Sequence, residues 1–207
     1  MSFFYIYFFV YKKSKRKKTF IPSVLYCIIK HSFVFDKKAY TMKFELREIP
    51  QLTGRRCKIY SILVEGDEKT LFDQFADENK IHFPDEIDDI YASLTAIANY
   101  FGARDSYFRP KKEGKSGDGV EALFDRPNAR LRVYSIKYGN VLLVLGGGGY
   151  KSKDIRAFQE DPKLMRENYL IRKIAAILYK AIKEKDLRWN KRGDNFEGQF
   201  YFDSDDY

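Results

Sequence analysis

The chain predicts an α+β fold: a small, mainly antiparallel sheet, two helices before its main hairpin, and one C-terminal helix. Three observations carry this. Residues 128–153 alternate side-chain character, turn at Tyr138-Gly139-Asn140 and return through an unbroken apolar run, as a hairpin does. After Pro84, and again after Pro162, apolar residues recur at three-and-four spacing, as on a buried helix stripe. Strands, helices, strands and a helix in that order fit a layered α+β domain better than a repeated βαβ unit.

Residues 1–41 differ from the rest. They hold nine Lys or Arg and one acid, so most of the net charge of +9 lies before Met42. Their apolar runs, 2–10 and 20–29, are about half the length of a membrane span, and the basic cluster follows the first run, unlike a signal peptide. A membrane-surface anchor, a basic nucleic-acid arm and a leader translated from upstream of the true start are the three readings. The last is favoured because globular composition begins at Met42.

From Met42 the order is a short strand over 43–49, a turn over 50–54, and a strand over 57–64. Asp67 is placed to cap a helix bearing Leu71, Phe72 and Phe75. The next helix starts at Pro84 and buries Ile87, Ile90, Tyr91, Leu94, Ile97, Ala98 and Phe101 before Gly102 stops it. Asp85, Glu86, Asp88 and Asp89 crowd its first turn, where the helix dipole favours carboxylates. Residues 106–118 form a basic loop carrying Arg109, Lys111, Lys112 and Lys115, and 120–124 a further strand. In the hairpin, Leu131, Val133 and Ser135 make an apolar, small face, while Arg130, Arg132 and Tyr134 make a cationic, aromatic one. Residues 141–145, apolar throughout, belong to a central strand covered on both faces, which the four glycines 146–149 end. Beyond them Tyr150, Lys151 and Lys153 project near Arg130 and Arg132. The last helix buries Ile171, Ile174, Leu178 and Ala181 and packs on the sheet. Residues 195–207 are an acidic-aromatic tail, mobile or an edge strand. The domain is expected to span 42–192, with 1–41 as leader and 193–207 as tail.

Charge is segregated beyond the leader. Residues 65–89 hold 10 acids and 2 bases, whereas 104–192 hold 22 bases and 11 acids. A basic sheet half fits a polyanion or acidic-protein partner, and equally a solvated charged surface. Cys27 and Cys57 make neither a disulfide framework nor a zinc spacing, which fits a reducing cytosol; His31 and His82 support no metal cluster or catalytic triad. The glycine run before Lys151-Ser152 fails the phosphate-loop spacing, because Lys151 stands where the second glycine belongs. A bulge permitting close backbone approach is the simpler reading.

A strand, two helices, a basic loop after a helix ending Tyr100-Phe101-Gly102, a short strand, a strand with Arg and Tyr, an apolar strand and a Lys-x-Lys segment cover residues 57–185. This succession resembles the RelE/ParE superfamily of bacterial toxins, nearest the RelE and HigB type. The resemblance implies a RelE-like fold and the toxin of a toxin-antitoxin pair in the cytoplasm. It implies an endoribonuclease, ribosome-dependent or free, that cuts messenger RNA by driving a 2′-hydroxyl onto the neighbouring phosphate, with no cofactor, metal or membrane. Its partner would be a cognate antitoxin, a helix-turn-helix protein. By position, the strand arginine falls at Arg130 or Arg132, its aromatic partner at Tyr134, and the basic pair at Lys151 and Lys153. Arg109, Lys111, Lys112, Lys115 and Tyr150 would bind RNA. The chemistry needs cations for the pentacovalent phosphate, a proton donor and acceptor, and a ring for stacking. Two departures stand out: Val120-Glu121-Ala122-Leu123-Phe124 replaces the frequent Leu-Trp-Glu-Leu-Arg, and glycines replace the Phe before the lysines. The alternative is a non-catalytic ParE-like protein that binds a target such as a topoisomerase, or a plain nucleic-acid-binding module.

Overall fold

The computed structural model describes residues 41–109, 119–123, 129–152, 154 and 160–207. The expectations for the leader, Lys111, Lys112, Lys115 and Lys153 lie outside the described residues. Strands β1 (Lys43–Glu48) and β2 (Lys58–Val64) precede helices α1 (Leu71–Asn79) and α2 (Pro84–Ala96). A π-helical turn, Ile97–Phe101, ends α2, and a 3-10 turn, Asp105–Tyr107, follows. Next come β3 (Val120–Ala122), β4 (Leu131–Tyr138), β5 (Leu142–Tyr150) and α3 (Pro162–Glu184). The short strands β6 (Leu187–Trp189), β7 (Phe196–Gly198) and β8 (Tyr201–Asp203) complete the chain.

Six strands form one mixed, mainly antiparallel sheet in the order β3-β4-β5-β2-β1-β8, while β6 and β7 pair separately. The one parallel neighbour pair of this sheet is β2 and β5, with Lys58 opposite Leu142 and Ser61 opposite Leu145. β5 is apolar throughout its first half because each face meets a different helix layer. Leu143 and Leu145 join Ile59, Phe72, Phe75, Ile90 and Leu94 under α1 and α2. Leu142 and Val144 join Ile62, Ile136, Ile171, Ile174 and Leu178 under α3. Full burial of each such side chain is worth about 1.5–3 kcal/mol, so β5 anchors both layers. Ser61 ties α1 to β5 at the end of the β2–β5 pairing: its hydroxyl donates to the Leu145 carbonyl at 2.9 Å and accepts from the Phe72 N–H at 3.2 Å.

Several expectations need correction. The glycines do not end β5, which runs through them to Tyr150. Between the pairs Val133–Gly148 and Ser135–Leu145 the register shifts, so Gly146 and Gly147 together face Tyr134 across a bulge. Here the backbone needs closeness: a Cβ on Gly148 would fall on the Arg132 carbonyl, and one on Gly146 would meet the Ile171 Cδ1 of α3 at 2.9 Å. Thr70, not Asp67, caps α1, because its hydroxyl is the one in reach of the Asp73 N–H, at 3.3 Å. Asp161, just before the expected helix start at Pro162, caps α3 by accepting from the Leu164 N–H at 2.9 Å. Of the two readings of residues 195–207, mobile or an edge strand, the edge strand holds. β8 pairs with β1 at the sheet edge, and Phe202 stacks on Phe44 at 5.2 Å in the core. Among the described residues no helix is long and apolar enough to cross a membrane.

Candidate functional site

The register of β4 on β5 places Leu131 opposite Tyr150, and the Lys151 N–H extends the ladder to the Arg130 carbonyl at 2.7 Å. Arg130, Tyr150 and Lys151 therefore meet at the open end of the hairpin, although 20 positions of sequence separate the arginine from the tyrosine. The Arg130 guanidinium lies 6.0 Å from the Tyr150 ring centroid, and its Nη1 donates to the Tyr150 hydroxyl at 3.4 Å. Tyr150 stacks on Phe83 with centroids 5.2 Å apart and planes 15° from parallel, yet keeps 37% of its surface exposed.

Helix α2 holds this end in place. Phe83 is its N-cap residue and Pro84 its first residue, which brings Glu86 against the hairpin. One Glu86 oxygen, Oε2, accepts from both the Arg130 and Leu131 N–H groups at 2.8 Å. Dipole compensation thus accounts for only part of the acidic first turn of α2. Glu86 also fixes the backbone that carries Arg130. Neither Phe83 nor Glu86 was legible as a site residue, since the contact spans more than 40 residues.

Within β4 the other expected residues lie on the face that α3 covers, whereas Arg130 precedes the strand. Arg132 faces α3 and folds back on its own strand, its Nη1 donating to the carbonyls of Ala129 at 2.9 Å and Leu131 at 2.5 Å. Tyr134 is 5% exposed and belongs to the core beneath α3. The cationic, aromatic face expected for β4 is therefore not open, and Tyr134 offers no ring for a base to stack on. Burial pushes its hydroxyl pKa well up; Arg132 and Arg109 oppose that rise, whereas Asp161 and Glu167 add to it. A tyrosine so placed is a poor proton acceptor near neutral pH.

Arg109 also departs from expectation. It does not ride on an open loop: its N–H bonds to the Ala122 carbonyl at 2.9 Å beside β3, and it is half-buried. Beyond the bulge, α3 brings Lys163 into an ion pair with Glu78 of α1, and Glu167 against Gly147. Among the described residues no group of three or more His, Cys, Asp or Glu is placed to hold a metal ion. What the arrangement offers is a stacked aromatic pair with a guanidinium beside it and Lys151 next along the chain, chemistry suited to bases and phosphates. Comparison with protein-family models, curated proteins and solved structures finds no match.

Proposed function

We propose that this chain is the toxin of a toxin-antitoxin pair, of the RelE/ParE type and with a RelE-like fold, acting in the cytoplasm as an endoribonuclease on messenger RNA. The observation that carries the reading is the convergence of Arg130, Tyr150 and Lys151 at the end of the β4–β5 hairpin, with Phe83 stacked behind the tyrosine. The succession of β2, α1, α2, β3, β4 and β5, on which the resemblance rests, supports it as well. In this reading Tyr150 receives a base, while Arg130 and Lys151 offset charge on the phosphate under attack. The 2′-hydroxyl loses its proton as its oxygen bonds to phosphorus, and the departing 5′-oxygen gains one. Lys151 and Tyr150 are the members of the cluster with a transferable proton; Tyr134 is excluded from that role by its burial. The cognate antitoxin, a helix-turn-helix protein, covers the cationic hairpin end with an acidic segment of its own.

Expression in a susceptible host should arrest growth, and co-expression of the antitoxin should relieve it. RNA cleavage in a translating extract should fall about a hundredfold or more in Arg130→Ala and Lys151→Ala, with the melting temperature nearly unchanged. Variants that stay folded and cleave like the parent would remove the hairpin end from the mechanism. The burial of Tyr134 favours a second reading, a non-catalytic ParE-like protein bound to a protein target. Growth arrest with intact RNA and damaged DNA would select it.

A further inference from the structure

The stripe on α2 should have ended with Phe101 in the core, and it does not. The Gly102 N–H bonds to the Ile97 carbonyl, five residues back, at 2.9 Å, so the last turn of the helix holds one residue more than an α-turn. That extra residue rotates Phe101 off the face where Ile97 and Ala98 are buried. Phe101 is 48% exposed and Tyr100 beside it 64%. Their centroids are 6.2 Å apart; Tyr107 adds a third ring 6.4 Å from Phe101, and the Arg104 guanidinium lies 5.5 Å from the Phe101 centroid.

This platform is anchored on two sides. The Arg56 and Cys57 N–H groups both donate to the Ala98 carbonyl, at 2.9 and 3.1 Å, which brings the loop bearing exposed Arg55 and Arg56 against the π-turn. Gly54 makes that approach possible, because a Cβ there would overlap Ala98 and Asn99. On the other side Gly102, at φ +70°, and the Ala103 N–H, bonded to the Asn140 carbonyl at 2.9 Å, tie the turn to the β4–β5 loop. No Asp or Glu occurs among residues 49–58 or 97–104, and the neighbouring Asp105 is ion-paired with Lys137, so Arg55, Arg56 and Arg104 make this surface cationic beside the rings.

We infer that this surface, Tyr100, Phe101 and Tyr107 with Arg55, Arg56 and Arg104, binds an unpaired stretch of nucleic acid by base stacking and phosphate contact. Half-exposed rings held rigid next to cations suit a strand that presents a π-face and a negative charge at every residue. A duplex, whose bases are already stacked on each other, cannot use the rings. The platform lies at the far end of α2 from Phe83 and the hairpin end, roughly 25 Å away. It is thus a second contact, and it stands or falls independently of any cleavage at Arg130 and Lys151.

The test measures binding of fluorescent single-stranded RNA, the DNA strand of the same sequence, and their duplex counterparts to the full chain. Both single strands should bind more tightly than either duplex. Tyr100→Ala with Phe101→Ala should weaken single-strand binding by roughly tenfold or more, while Tyr100→Phe with Phe101→Tyr retains it. Arg55→Gln with Arg56→Gln should lower the slope of log affinity against log salt by about 0.7 for each phosphate left without its arginine. Photocross-linking of the unmodified chain to oligouridylate should label Tyr100, Phe101 or Tyr107, a readout that needs no variant to fold. The inference is overturned by equal duplex binding, by unchanged affinity in the folded alanine pair, by cross-links confined to other residues, or by a platform that mediates self-association or protein capture instead.

Discussion

A Cβ built on Gly148 would fall on the carbonyl oxygen of Arg132, backbone against backbone, where neither side can rotate away. Gly148→Ala should therefore open the bulge and lower stability by about 3 kcal/mol, read as a shift of the denaturant midpoint. Gly147→Ala should be milder, about 1 kcal/mol, because its obstacle is the Glu167 carboxylate at the end of a side chain that can move. Glu167 itself carries a pH signature. Burial raises its pKa above the usual carboxyl range; Lys163 and Arg166 oppose the rise and Glu78 adds to it. The folded chain then holds the proton more tightly than the unfolded one, so stability falls as pH climbs from the ordinary carboxyl pKa through the raised one. Glu167→Gln should match the parent in acid and exceed it at neutral pH, measured as the difference in melting temperature across a pH series. A difference that stays constant with pH would count against burial of Glu167 as the cause.

Among the elements, α3 depends on its ends. Asp161 accepts from the Leu164 N–H and Pro162 opens the first turn, so Asp161→Ala should cost about 1 kcal/mol. At the other end Lys185 sits at φ 72°, in the left-handed region, closing the helix with its N–H on Ala181 and Ile182. Glycine adopts that conformation without a Cβ penalty, so Lys185→Gly should stabilise by about 0.5–1 kcal/mol in urea unfolding. These two ends differ in legibility. Asp161-Pro162 is a start signal that residue types alone display, whereas nothing in Glu184-Lys185-Asp186 announces a left-handed residue. The same contrast holds for α2, where the stripe from Ile87 to Ala98 was legible and the π-turn after it was not, since Phe101 falls at correct stripe spacing on a regular helix.

For the molecule as a whole, both core clusters among the described residues are built from strands and helices of the segment after Met42. A chain starting at Met42 should fold with a melting temperature close to that of the full chain; failure of that shorter chain to fold would show that earlier residues complete the core. A chain ending at Lys185 should fare much worse. It would strip Phe202 from Phe44, and Phe196 and Phe200 from Tyr60, leaving the β1 side of the sheet without its cover. Loss of a cooperative transition, followed by calorimetry, is the expected result.

What the residues determined without help is what depends on near neighbours: the stripes of α2 and α3, the turn at Gly139-Asn140, the buried run Leu142–Leu145, and the meeting of Arg130 with Tyr150 and Lys151 that hairpin pairing forces. Only tertiary structure decided what covers each surface. Arg132 and Tyr134 alternate identically whether their face meets water or a helix, and it was the packing of α3 through Leu164, Ile171 and Ile174 that buried Tyr134. Likewise the four glycines read as a stop or as a bulge until Arg132 and Ile171 came close enough to require them. Local patterns encode period and caps; which face is covered follows from partners distant in sequence, whose contacts no short window contains.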